Sequence, residues 1–166
     1  MSKPSITLQL LQKQFSSVIL EAHTPHGDDT VVVEPEANRD LLRFCKEEPK
    51  LAYNFLMDLT CVDYLQYPGR EGMARFEVVY HLYSLEHNHR VRIKCPVAED
   101  DPTIASVVEL WPVADWLERE AWDMFGVVFE GHPDLRRILM YEEFEGYPLR
   151  KDYAISRRQP LVGPKN

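Results

Sequence analysis

The sequence predicts an α+β domain, a mixed sheet covered by helices on one face, and three observations carry that expectation. Strand-period blocks come in consecutive runs flanked by helix-period blocks, in the order α-β-β-α-β-β-β-α-α, and do not alternate one to one. Residues 89–95 alternate Val91, Ile93 and Cys95 with Arg90, Arg92 and Lys94, the pattern of a sheet with one face buried and the other in water. A chain of 166 residues buries ~70% of the surface it exposes when unfolded, which supports one core without disulfide or metal staples.

The first helix is entered at Ser5 after Pro4, with Ile6, Leu10, Leu11 and Phe15 at helical spacing. Residues 18–22 and 30–33 read as strands around the turn-rich segment 23–29. Pro35 opens a second helix that runs to about Lys46. Its Ala37, Leu41, Phe44 and Cys45 share a face, and Pro49 lies past its end. A strand within 53–64 centres on Phe55, Met57, Leu59 and Cys61. The turn 67–72 leads to a strand over 74–85. That strand sets Ala74, Phe76, Val78, Tyr80 and Leu82 on one face and Arg75, Glu77 and His81 on the other. The short link 86–89 makes it a hairpin with 89–95. Two helices follow, over 102–110 and 113–125. The second turns Ala114, Leu117, Ala121, Met124 and Phe125 inward and ends at Gly126, a C-terminal cap.

Residues 131–166 fit no period and are interrupted by Gly131, Pro133, Gly146, Pro148, Pro160, Gly163 and Pro164. They nevertheless hold Leu135, Ile138, Leu139, Met140, Phe144, Leu149 and Tyr153, and burying a large apolar side chain is worth ~1.5–3 kcal/mol. The chain therefore divides into an α+β body, 1–130, and an extended C-terminal arm, 131–166, that folds back on the body or lies on a partner protein. Charge marks the same boundary. The whole chain carries −8, which argues against a general nucleic-acid binder. The arm carries seven Lys/Arg against five Asp/Glu, so the acidic excess lies in the body.

The residues supply no redox centre or nucleophile. Cys45, Cys61 and Cys95 are too few for a four-cysteine iron–sulfur cluster and too dispersed for a zinc site, so they read as buried thiols. No phosphate-binding glycine loop, G-x-S-x-G, signal peptide or membrane-spanning run is present in the sequence. The pair Glu118/Glu120 cannot act as facing general acid and base, because residues i and i+2 of a helix point ~200° apart. Arg119 is instead expected to be held in an ion-pair ladder between Asp115 and Asp123. His87 and His89, and likewise His23 and His26, read as surface-turn residues, and His132 as a turn residue before Pro133. Arg136-Arg137 and Arg150-Lys151 suit charge-assisted docking on an acidic partner better than nucleic acid.

Three ordered blocks resemble the signature of the 30 kDa subunit family of respiratory complex I, the C-type subunits of NADH-quinone oxidoreductase. They are ERE-AWD-MFG over 118–126, GHPDLRRILM over 131–140 and EGYPLRKDY over 145–153. Tyr147 and Ala154 stand where the family more commonly has His and Pro. The resemblance implies an α+β member of the hydrophilic arm beside the quinone-reacting module. Such a member binds no cofactor itself, in a complex that uses FMN, iron–sulfur clusters, NADH and quinone. It implies partners among the other hydrophilic-arm subunits, above all the D-type subunit that helps form the quinone pocket. It implies no nucleic-acid partner, and membrane contact only through the complex. The implied location is peripheral, on the cytoplasmic side of the bacterial plasma membrane. Carried residue by residue, the implied interface comprises Glu118, Arg119, Glu120, Asp123, Met124, Phe125 and Gly126 in the first block. The second block adds Gly131, His132, Pro133, Leu135, Arg136, Arg137, Ile138 and Leu139. The third adds Gly146, Pro148, Leu149, Arg150, Lys151, Asp152 and Tyr153. Alternatives left open are the equivalent subunit of a membrane-bound hydrogenase or of a photosynthetic NAD(P)H dehydrogenase-like complex, and a stand-alone binding module.

Overall fold

Ser5 caps the first helix, α1 (Ile6–Phe15), by accepting the Leu8 amide on its hydroxyl oxygen at 3.1 Å. The computed structural model describes residues 5–159 and Gly163. Pro4 and the end of the expected arm, 160–162 and 164–166, lie outside the described residues. Strands β1 (Ile19–His23) and β2 (Asp29–Val33) form an antiparallel pair, and α2 (Asn38–Glu47) follows a short 3-10 turn opened by Pro35. The long strands β3 (Phe55–Asp63), β4 (Phe76–Ser84) and β5 (His89–Val97) form an antiparallel meander. Parallel pairing of β2 with β5 closes a mixed sheet of order β1-β2-β5-β4-β3.

One face of this sheet is the core. Val31, Val33, Val78, Tyr80, Leu82, Val91, Ile93 and Cys95 form one buried cluster with Leu8 and Leu11 of α1 and Leu41, Leu42 and Cys45 of α2. Ala121 and Met124 of α3 (Ala114–Phe125) join the same cluster. The α+β architecture expected from the sequence is therefore observed.

Two local expectations are corrected, and Glu77 is placed as expected but buried. Residues 102–110 are not a helix. Thr103–Ala105 is a strand, β6, paired in parallel with a strand that the sequence reading missed, β7 (Val128–Glu130). The pairing buries Ile104 beside Phe129, and runs this short do not distinguish strand from helix by period. In β3 a bulge between Leu56 and Asp58 shifts the phase, so Leu56 turns inward while Phe55 and Met57 are exposed. Glu77 does point away from the core face, yet it is buried. Tyr64, Arg70 and Lys94 close over its carboxylate at 2.7–3.3 Å.

Candidate interface: the ribbon of residues 131–159

Residues 131–159 contain no helix or strand and run as a ribbon of turns over the body. Asp123, near the end of α3, holds the first half. Its side chain is fully buried. Oδ2 accepts three successive amides, from Ile138 (3.1 Å), Leu139 (2.8 Å) and Met140 (2.9 Å), while Oδ1 accepts Arg137 Nη1 at 2.5 Å. Burial pulls this carboxyl upward. The Met140 amide, Arg137 and the Leu139 and Ile138 amides together hold it below the usual range. Arg137 also donates to the carbonyls of Phe144 (2.8 Å) and Gly146 (3.1 Å) within a cage of Trp122, Phe144 and Tyr147 rings. Arg119 donates to the carbonyls of Arg136 and Arg137 and packs on Trp116. The expected ladder with Asp115 and Asp123 does not form, because Asp123 is occupied by the ribbon.

The second half is tied to the end of α3 and to the sheet. The Leu149 amide donates to the Met124 carbonyl (3.1 Å), Arg150 Nε to the Phe125 carbonyl (2.5 Å) and the Lys151 amide to Asp63 Oδ2 (2.8 Å). Asp63, buried at the end of β3, forms a two-point pair with Arg75, and Arg75 also binds Asp152 (2.7 and 3.1 Å) and Glu99 (2.5 Å). Burial raises the Asp63 carboxyl, but Arg75 and the Lys151 and Leu65 amides outweigh it and hold the group below its ordinary value. Arg75 lowers Asp152 likewise. Gly126 ends α3 in the left-handed conformation (φ 79°), and a Cβ there would come within 2.6 Å of the Tyr147 ring and 2.5 Å of Arg150. Cap geometry and close approach thus both require glycine at this position.

The remaining signature residues divide between struts and surface. Glu118 is fully buried and accepts the Ser106 hydroxyl (2.6 Å) and the Val107 amide (2.7 Å), locking α3 to the segment after β6. Burial without a cation pushes its carboxyl up to about 7. The buried His132 ring accepts the Asp134 amide on Nδ1, leaving Nε2 to donate to the Asp115 carbonyl at 3.2 Å. Gly131 and Gly146 adopt positive φ, and the Tyr153 ring packs against Gly146 and stacks on Phe144. Leu135 packs on the core edge, and Ile138 and Pro148 are half-buried. Glu120 and Pro133 are exposed, and so is Arg136, whose partner is Asp134 at 3.0 Å. Leu139 (56%), Leu149 (51%), Ile155 and Trp116 expose large apolar side chains. Asp63, Arg75 and Tyr147 belong to this site although the sequence reading did not select them as site residues. The available signal was the opposite charge of Asp63 and Arg75 at the two ends of the β3–β4 connection.

The three cysteines are buried. Burial pushes Cys61 up to about 12 and the thiols of Cys45 and Cys95 higher still. Among the described residues, no group of three His, Cys, Asp or Glu side chains is placed to hold a metal. No helix among them is long and apolar enough to cross a membrane.

The model for the family described as "Respiratory-chain NADH dehydrogenase, 30 Kd subunit" matches residues 31–159, from β2 through the ribbon. The chain belongs to this family. Relatives of the 30 kDa family include a C-type subunit of NADH-quinone oxidoreductase, the second of its kind in Rhizobium etli. It is 46% identical over 162 residues, covering 98% of this chain and 83% of that protein. The C-type subunit of the same enzyme from Geotalea uraniireducens is 48% identical, with 93% and 86% covered. Among solved structures, a trypsin-resistant fragment of Nqo5 superposes with a TM-score of 0.68 at 35% identity, covering 78% of this chain and all of the fragment. A chain of the membrane-bound sulfane sulfur reductase, an archaeal respiratory membrane complex, superposes with a TM-score of 0.72 at 27% identity, with 91% and 85% covered.

Proposed function

We propose that this chain is a non-redox structural subunit in the hydrophilic arm of a proton-translocating NADH:quinone oxidoreductase. It braces the quinone-reacting module by docking its ribbon on the D-type subunit of that module. Electron transfer belongs to the complex, whose other subunits supply FMN, iron–sulfur clusters and the NADH and quinone sites. The chain sits peripherally on the cytoplasmic side of the plasma membrane through its partners.

The observation that supports this reading best is the division of labour in the ribbon. Five of its backbone amides between 138 and 151 and three of its charged side chains, Arg137, Arg150 and Asp152, are held by the body, while Leu139, Leu149 and Ile155 face outward. A tethered strip with outward apolar anchors matches the few-anchor pattern of protein interfaces. The basic side chains divide in the same way. Arg137 and Arg150 serve the ribbon's own fold, leaving Arg136 and Lys151 at the surface for a partner.

The likeness to a chain of the membrane-bound sulfane sulfur reductase favours a second reading, in which the same kind of subunit serves a complex with different redox chemistry. One experiment separates the two. A tagged chain is recovered from its own membranes, and the co-purifying subunits are identified and tested for electron donors. Recovery with a flavin–NADH module and quinone-pocket subunits supports the first reading. Recovery with redox subunits lacking an NADH module supports the second. Recovery of the chain alone contradicts both.

A further inference from the structure

Guanidinium groups and aromatic rings alternate from the sheet into the ribbon. Arg75 and Arg150 each lie 4.9 Å from the Phe76 ring centre, and Arg150 lies 4.5 Å from that of Tyr147. Arg137 lies 5.9 Å from the Tyr147 ring centre and 5.4 Å from that of Phe144. Phe144 stacks on Tyr153, and Arg157 caps the Tyr153 ring at 5.6 Å. A cation within ~6 Å of a ring centre is attracted to its face, more strongly where water is excluded. Tyr147 is the ring that Arg137 and Arg150 share, and it seats directly on Gly126 at the end of α3.

The two halves of the ribbon are held by different means. Residues 137–140 close on the fully buried Asp123. Residues 149–153 place only one amide, that of Lys151, on a buried carboxylate, Asp63, whereas Asp123 takes three amides and Arg137. Their other ties are the Leu149 amide and Arg150 on backbone carbonyls, and Asp152, whose side chain is half exposed. Exposed charge pairs hold weakly and buried ones hold firmly when kept intact. Segments that differ in this way open as separate units.

We propose that residues 147–153 form a latch that opens independently of residues 137–140, with Tyr147 as the positioning residue that keeps it closed. This rests on reading the ribbon as the docking surface. A closed latch presents Leu149 and Lys151 in a fixed place, so a partner meets a preformed strip and loses less affinity to ordering it.

The test is residue-resolved amide hydrogen exchange on the free full-length chain, comparing the unaltered protein with Tyr147→Leu and Tyr147→Phe. In Tyr147→Leu the amides of Leu149, Lys151 and Tyr153 exchange about tenfold faster or more, while those of Ile138, Leu139 and Met140 keep their rates. Tyr147→Phe retains a ring for both cations and restores slow exchange. Equal acceleration in both halves, or none in 149–153, overturns the latch. If Tyr147→Leu does not fold, Tyr147→Met, which removes the ring and leaves Arg150 and its bond to the Phe125 carbonyl in place, must give the same split. Recovery of each variant in the parent complex is measured in parallel. Selective opening with unchanged recovery upholds the latch and counts against ribbon docking alone.

Discussion

Arg75 and Asp152 lie 77 positions apart in sequence and share two charge-assisted hydrogen bonds, of 2.7 and 3.1 Å. The same guanidinium holds Asp63, so the start of β4, the end of β3 and the ribbon meet at one cation. Removing the cation and removing its outer partner have unequal consequences. Asp152→Ala breaks a half-exposed pair and costs ~0–1 kcal/mol of stability. Arg75→Ala leaves Asp63 buried without its counter-charge and costs ~3–5 kcal/mol. Urea unfolding of the free protein measures both, and equal losses would show that Asp63 does not depend on Arg75.

Asp123→Asn tests the first half of the ribbon. The amide keeps the shape but cannot accept on both of its polar atoms, so Arg137 loses its ionic partner or the amides of 138–140 lose theirs. The expected loss is ~3–5 kcal/mol, with faster amide exchange across Ile138, Leu139 and Met140. A loss below ~1 kcal/mol, within the range of an ordinary surface change, would contradict the assignment.

Gly126→Ala combines a left-handed cap with a ring collision. The backbone strain alone costs ~1 kcal/mol, and displacing Tyr147 adds to it. The expected total therefore exceeds that of Ala at Gly131, where φ is positive but no atom lies within 4 Å of the new Cβ. Parallel thermal melts of the two variants decide it.

Glu118 gives stability a pH dependence of definite sign. Its folded value is raised from 4.5 to about 7, so the folded state binds the proton more tightly than the unfolded one. Its contribution is full below 4.5 and is lost as pH rises through 7. Asp63, Asp123 and Asp152 have lowered values, so their contributions are present above 3.8 and are lost as pH falls through the folded values. Burial lowers His81, with Arg92 assisting, so that group favours the folded state as pH rises. The difference between Glu118→Gln and the unaltered protein isolates the Glu118 contribution. Relative to the unaltered protein, the variant gains stability between pH 4.5 and 7 and levels off above. A flat difference across that window would contradict the raised value.

How much was legible depended on period length. The clean alternation of Val91, Ile93 and Cys95 and the helical face from Ala114 to Phe125 were readable, because each extends over several repeats of its period. Gly126 was readable as a cap, whereas its role as the seat of Tyr147 depends on a contact made by a distant segment. Strands of three residues, 103–105 and 128–130, carry too few repeats to declare themselves. The bulge at Met57 depends on how β3 meets β4 and leaves no separate mark in its own residues. In the site, the signature blocks marked Asp123 and Arg137, but the local spacing of Asp115, Arg119 and Asp123 suggested the wrong partner. The three amides that claim Asp123 come from fifteen to seventeen residues downstream. Arg75 and Asp63 escaped selection for the same reason, since their third partner, Asp152, lies far along the chain.

The most direct test of ribbon docking is the recovery of Leu139→Asp/Leu149→Asp in the membrane-bound complex of cells that lack the native protein. Both side chains are exposed on the free chain, so the variant should fold and melt like the unaltered protein. Docking through the ribbon predicts that the complex-bound amount falls about thirtyfold or more, the consequence of losing two anchors of ~1 kcal/mol or more each. A folded variant recovered in the complex at the unaltered level would contradict it.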